Sequence, residues 1–378
     1  MKIPSQPSPR IAPHHLAAAL TLLATLTLGL WQLFLAARDI AYKEIPSSQH
    51  DVLTGKTAKH LESQLGKYLP AREGLISTAN ILRYIVLHGA GEQVQLGKEN
   101  WLFLSDELRV YEQAQENMDA RIKLIENAAS ALQQANVHLI VALVPDKSRI
   151  YENQLDSATR PAELLPRYKD TLAALQQAGV DAVDLATPLV AAAQKQEVYY
   201  RTDTHWNQVG ARVAADAVAT IVRRSTNDLA TINYVTQSVG AVEERPGDLI
   251  RLMGLEHAPD MLRPTPDREM IATTTRTEAD SGESLFGDSQ VAVVLCGTSY
   301  ALRGNFHGYL QQALSSEVLN TAKDGGGFLN SITAYLQDEA YRTTPPRVLI
   351  WEVPERCLQT PLDTEVHWLE SLGLNRPH

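Results

Sequence analysis

The sequence predicts an α/β fold, a mostly parallel sheet wrapped by helices, with one membrane-spanning helix ahead of it. Three observations carry this reading. Four short apolar runs, 137–144, 180–185, 291–296 and 347–352, are nearly continuous rather than alternating, the pattern of strands covered on both faces. Helical stretches separate them and give β-α-β order. The segment 16–37 carries no charge and is long enough to cross a hydrocarbon core of ~30 Å.

Lys2 and Arg10 precede the apolar segment without an acid, whereas Arg38, Asp39, Lys43 and Glu44 cancel one another after it. The positive-inside bias therefore keeps the N-terminus cytoplasmic. A signal-peptide core runs to only ~7–15 residues, so the segment reads as an uncleaved signal anchor. Residues 1–15 are then a cytoplasmic tail and 16–37 the anchor. From 38 to 90 the chain reads as a helical stalk or cap, its apolar residues recurring at helical spacing with a break at Leu69-Pro70. The body is expected over 91–360, followed by a tail, 361–378.

Within the body, Gly97-Lys98-Glu99-Asn100 places a turn before the aromatic strand Trp101-Leu102-Phe103. A helix over 118–134 leads to the first buried strand, which closes at Pro145-Asp146-Lys147; a helix over 161–178 leads to the second. Another helix starts near Gln208. From 223 to 290 the chain turns polar and irregular, with Pro246, Pro259, Pro264, Pro266 and the threonine-rich stretch 273–277, and reads as a lid or a disordered insert. The third and fourth strands flank a helix over 306–315. Parallel sheets gather their sites at the carboxyl ends of strands, where Asp146, Ser299 and Glu352 fall.

At 378 residues, 44% hydrophobic and 21% charged, the chain has ample material for a core. Its net charge of -10 disfavours a nucleic-acid partner, which needs a basic surface. Cys296 and Cys357 are too few for a disulfide framework and, beside apolar strands, read as free buried thiols.

Two segments carry chemistry. In Asp203-Thr204-His205-Trp206 a carboxylate and an imidazole stand within three residues, the pair a serine nucleophile needs to lose its proton to a correctly oriented base. By itself such a pair is also common on surfaces. In Gly297-Thr298-Ser299-Tyr300 a serine follows an apolar strand at a turn into a helix, near backbone N–H groups suited to an oxyanion. The plainer reading makes Ser299 a helix N-cap. No metal site is expected, because no His/Cys cluster completes Asp203 and His205. Glu352 and Arg356 can form a structural ion pair at a strand end.

Taken in order, Gly97-Lys98-x-x-Trp101-Leu102-Phe103, Val144-Pro145-x-Lys147, Asp203-Thr204-His205-Trp206, Gly297-Thr298-Ser299-Tyr300 and Trp351-Glu352-x-Pro354-Glu355-Arg356 resemble the alginate O-acetyltransferase family of SGNH-hydrolase-like proteins. The resemblance implies a three-layer α/β/α fold with permuted motif order, a triad of Ser299, His205 and Asp203, and no cofactor. It implies acetylation of an exported polysaccharide of alginate or cellulose type. The setting it implies is the periplasmic face of the inner membrane, with a membrane-bound O-acyltransferase as acetyl donor and other secretion components as partners. Cys357 departs from the family, where several relatives carry an aromatic. The oxyanion donors are expected at Ser299 and Gly326, and the substrate contacts at Tyr300, Arg201, Trp206, Lys147 and Arg356. An acetyl esterase would use the same triad, and a polymer-binding scaffold would not need it.

Overall fold

The computed structural model describes residues 13–39, 45–69, 72–156, 160–226, 229–277 and 291–362. The expected tails, the charged flanks at Lys2, Arg10, Lys43 and Glu44, and the end of the 223–290 segment lie wholly or largely outside these. The chain divides into two compact units, residues 1–82 and 83–378. The first holds the helix Pro13–Asp39, whose stretch Leu20–Arg38 is apolar and long enough to span a membrane, and the helices Gln49–Leu53 and Lys56–Tyr68. A further helix, Arg72–Leu87, leads into the second unit.

The second unit is the α/β body. Its strands are β1 (Val94–Leu96), β2 (Leu102–Leu104), β3 (His138–Val144), β4 (Asp181–Asp184), β5 (Tyr234–Ser238), β6 (Glu243–Arg245), β7 (Asp267–Glu269), β8 (Ala272–Arg276), β9 (Val293–Cys296), β10 (Val318–Asn320) and β11 (Val348–Pro354). The central sheet has the order β10-β9-β11-β3-β4, and every pairing in it is parallel. Successive residues of a strand point to opposite faces, and the core divides accordingly. Ile140, Ala142, Val144, Val293, Leu295, Val348 and Ile350 pack with the helices Gln208–Ser225 and Phe306–Leu314. Leu139, Val141, Leu143, Val294, Cys296, Leu349 and Trp351 pack with Ala114–Gln134, Arg167–Gln177 and Asn330–Gln337. This is the three-layer α/β/α body, with both faces of the sheet covered as the continuous apolar runs require.

Differences from the sequence reading have local causes. The helix expected over 161–178 splits into a 3-10 turn, Ala162–Leu164, and the helix Arg167–Gln177. Pro166 has no N–H to continue the ladder from the turn. The described part of the 223–290 segment is built rather than irregular. β5 pairs with β8 and β6 with β7, both antiparallel, and Asp248–Leu252 forms a short helix. The threonine-rich stretch is strand β8, as suits β-branched residues, and Thr274 meets Thr236 hydroxyl to hydroxyl at 2.6 Å across the ribbon. Both cysteines are free thiols.

The order β9-β11-β3 sets three carboxyl ends side by side. Gly297 to Ser299 follow β9, Glu355 follows β11, and Asp146 and Lys147 follow β3.

Candidate active site

The nucleophile turn is shaped by a buried acid. A Cβ on Gly297 would stand 2.5 Å from Glu352 Oε2, so only glycine lets the carboxylate approach there. Glu352, 1% exposed, accepts from the Thr298 N–H at 2.6 Å and from the Thr298 hydroxyl at 3.0 Å. It makes no ion pair with Arg356. Thr298, not Ser299, caps the 3-10 turn Ser299–Leu302, its Oγ1 accepting from the Tyr300 N–H at 3.3 Å. The capping role is thereby filled and the Ser299 hydroxyl is left for other use. As the first residue of its turn Ser299 also has an N–H with no intrahelical partner, and no described residue accepts it.

His205 sits in a loop closed by a Tyr199–Trp206 bridge and by the Tyr200 N–H donating to the His205 carbonyl at 3.2 Å. Asn207 ends the loop by capping the next helix, accepting from the N–H groups of Val209 and Gly210 at 3.0 Å each. The Lys147 ammonium props the loop from beneath, donating to the carbonyls of Leu102, Arg201 and Asp203 at 2.6, 2.9 and 2.9 Å. The 223–290 segment clamps it from the other side. Asp267 accepts from the N–H groups of Arg201 and Thr202 at 2.8 and 2.9 Å, and Asp248 from the Thr204 N–H at 2.7 Å.

Across this arrangement His205 Nε2 lies 2.6 Å from Ser299 Oγ, and Nδ1 lies 2.6 Å from Asp203 Oδ1. Asp203 Oδ1 also accepts the His205 N–H at 2.9 Å, and Oδ2 accepts the Asp248 N–H at 3.1 Å. Burial opposes charge on Asp203, but the His205 hydrogen bond and charge outweigh it and hold the carboxyl well below its usual range. Ser299, His205 and Asp203 are 7%, 5% and 6% exposed, so the site is nearly dry. A carboxylate, an imidazole and a hydroxyl in line form a proton relay able to activate the hydroxyl as a nucleophile. Asp203, His205 and Asp248 each bring one potential metal-ligand atom within 4.8 Å of the others. The bond from His205 Nδ1 to Asp203, however, fits the relay.

Other expected contacts fall elsewhere. Lys147 is fully buried, and three carbonyls occupy its ammonium, so it supports the loop and cannot grip a glycan. Trp206 is fully buried, stacked on Phe306 with its Nε1–H on the Arg303 carbonyl at 3.4 Å. Tyr300 is buried edge-on to His205 and donates its hydroxyl proton to the Thr204 carbonyl at 3.0 Å, a wall rather than a substrate contact. Arg356 lies over the Tyr300 ring and donates to its hydroxyl at 3.4 Å. The Gly326 N–H is committed to the Lys323 carbonyl at 3.0 Å, closing a turn, so the expected second oxyanion donor is not available there. Arg201 keeps 43% of its side chain in solvent and pairs with Glu197.

Sequence reasoning missed Asp248, Asp267 and the Glu352–Thr298 bond. One local signal was legible: Gly247 stands just before Asp248, and a Cβ on it would lie 1.9 Å from the Thr202 carbonyl oxygen. Gly247→Ala is therefore expected to cost ~1–3 kcal/mol of stability by forcing the two backbones apart, and to lower turnover with it. Thermal unfolding and acetyl-ester cleavage check this; an unchanged melting midpoint would mean that the clamp yields freely.

Residues 94–355 match the family described as SGNH hydrolase-like domain, acetyltransferase AlgX. A probable alginate O-acetylase AlgJ of Pseudomonas syringae pv. tomato is 35% identical over 341 residues, 87% of this chain and 86% of that protein. The counterpart of Pseudomonas aeruginosa is 34% identical over 336 residues, 85% of each. Among solved structures, the O-acetyltransferase domain of Pseudomonas putida AlgJ aligns with a TM-score of 0.66 at 34% identity, covering 75% of this chain and 99% of that one.

Proposed function

The chain belongs to the SGNH hydrolase-like, acetyltransferase AlgX family, and from that premise we propose that it transfers acetyl groups onto hydroxyls of an alginate-type polysaccharide through an acetyl-serine. The observation that carries the mechanism is His205, bonded at 2.6 Å to Asp203 on one nitrogen and at 2.6 Å to Ser299 on the other. His205 takes the Ser299 proton as Oγ attacks the acetyl carbonyl, and the resulting imidazolium returns it to the departing donor group. A sugar hydroxyl then gives its proton to His205 and displaces Ser299, which recovers a proton from the imidazolium. The Ser299 N–H, at the start of its turn, is the candidate to hold the oxyanion in both steps.

The apolar stretch Leu20–Arg38 supports a signal anchor. We place the body on the periplasmic side of the inner membrane, where a membrane-bound O-acyltransferase supplies the acetyl group. The relatives named for alginate O-acetylation support alginate as the polymer.

The test uses the detergent-solubilised full chain, an activated acetyl ester and an alginate oligosaccharide. The expected results are acetylated oligosaccharide and, without acceptor, one acetyl adduct by intact mass, both absent from Ser299→Ala and His205→Ala. Release of acetate alone at saturating acceptor would instead assign an esterase. Equal behaviour of wild type and variants would remove the triad and leave a polymer-binding role.

A further inference from the structure

A second carboxylate stands at the imidazole. Asp248, at the start of the short helix Asp248–Leu252, spends Oδ1 on the Thr204 N–H at 2.7 Å and on the Thr204 hydroxyl at 3.1 Å. Its Oδ2 makes no hydrogen bond to a described residue and lies 3.7 Å from His205 Nδ1. Both bonds fix the residue next to His205, and Asp248 is itself tied to Asp203 through its own N–H. We propose that Asp248 is a positioning residue of the acetyl-transfer reaction, which holds the His205 loop and supports the imidazolium jointly with Asp203. This rests on the Ser299–His205–Asp203 reading.

The geometry gives the carboxylate a role that differs between the resting site and the transition state. With His205 neutral, two carboxylates share a small, largely dry volume and repel; burial and the Asp203 charge push the Asp248 carboxyl up. When Ser299 gives its proton to Nε2, a positive charge forms between them. The repulsion is then relieved and both attractions are gained, so Asp248 interacts more favourably with the transition state than with the resting enzyme, as rate acceleration requires.

Other ionisable groups bear on the pair. From its own loop His205 faces Asp203, from the nucleophile turn Ser299 and Tyr300, and from β11 it feels Glu352. Asp248 feels Asp203, His205 and, from beneath the loop, Lys147. Arg356 reaches the site through Tyr300. Lys147 is a fixed buried cation whose ammonium is held by the carbonyls of the loop. Burial pulls it down to about 8 and Asp248 is among the carboxylates that raise it, so the comparison of the two proteins is read on the acid limb, below that value, where the ammonium is charged in both.

The test is Asp248→Asn in the detergent-solubilised full chain, assayed as kcat/KM against pH with a chromogenic acetyl ester, beside Thr204→Val and Ser299→Ala. The asparagine carbonyl keeps the Thr204 acceptor and removes the charge. The expected result is a plateau lowered about tenfold or more, with the acid limb moved to lower pH, since removing a nearby anion disfavours protonation of the site. Thr204→Val loses a hydrogen bond and keeps the charge, so its acid limb stays with wild type. A lowered plateau with an unmoved limb in Asp248→Asn, or a limb moved equally in Thr204→Val, would reduce Asp248 to a structural clamp and overturn the proposal. If Ser299→Ala cleaves the ester as wild type does, the triad reading fails as well; if it is inactive, only the Asp248 proposal is at stake.

Discussion

Asp203→Asn is expected to lower kcat about 10³- to 10⁴-fold with little change in KM, because three donors converge on a carboxylate that an amide cannot replace. The His205 Nδ1–H and the His205 N–H both reach Oδ1, and the Asp248 N–H reaches Oδ2. If the asparagine oxygen faces His205, its NH2 faces the Asp248 N–H, donor against donor. If the amide turns over, its NH2 faces Nδ1, the ring is pushed to the other tautomer, and Nε2 carries a proton where it must accept one from Ser299. The negative charge that steadies the imidazolium is gone in either case. Because Asp203 is held well below the carboxylate range, the wild-type acid limb is not its titration. A steady-state profile therefore separates the two residues: Asp203→Asn depresses the whole curve, and Asp203→Ala, which leaves the Asp248 N–H unpaired, should do no better. A loss under tenfold would show that Asp248 suffices to orient the ring.

The central sheet was legible because its evidence is local. Four nearly continuous apolar runs cannot be half-exposed strands, and β3, β4, β9 and β11 fall on them within two residues or so at each end. The short strand β10 was not seen: Val318 to Asn320 carries no apolar run and lies at the sheet edge. Asp203, His205 and Ser299 were legible for the same local reason, since one loop and one turn display them. The roles of the charges were not. Lys147 follows a strand in sequence exactly as a ligand-binding lysine would, and only the fold brings Leu102, Arg201 and Asp203 carbonyls to it. Burial pulls its ammonium down to about 8, against neighbouring carboxylates that raise it, as suits a group spent on backbone oxygens. Gly326 looked permissive, yet its N–H is used within its own turn. The roles of Asp248 and Asp267 were not read because both lie in a segment whose threonines and prolines read as a lid or a disordered insert, more than forty residues from their partners in the His205 loop.

Glu355→Gln is expected to cost ~3–5 kcal/mol of stability, the scale for breaking a buried ion-pair network, and to lower the melting midpoint by about 10 °C. Glu355 is fully buried at the carboxyl end of β11, where Arg149, Arg160 and Arg167 donate to it at 2.6, 2.8 and 3.1 Å. Asp146 shares Arg160 and Arg167. Removing the Glu355 charge leaves Arg160 and Arg167 on Asp146 and leaves Arg149 with the Leu164 and Leu165 carbonyls. Burial alone would raise the Glu355 carboxyl; the arginines outweigh it and hold it down to about 2, below its ordinary 4.5. A depressed folded-state value means that this stabilisation is present above pH 4.5 and is lost as pH falls towards 2. Glu107, in the same cluster, behaves oppositely. Burial first and the Asp146 charge second push it up to about 7 from 4.5, so it weakens the fold as pH rises through that interval. Glu107→Gln should therefore leave the midpoint at pH 8 unchanged or raised while Glu355→Gln lowers it. Equal losses in both variants would mean that the acceptor oxygen lost to the amide, not the charge, governs the cluster. The cluster anchors Asp146, the residue before Lys147, and Lys147 holds the Asp203 carbonyl. Acid that neutralises Glu355 thus loosens the support of the His205 loop before it reaches Asp203 itself.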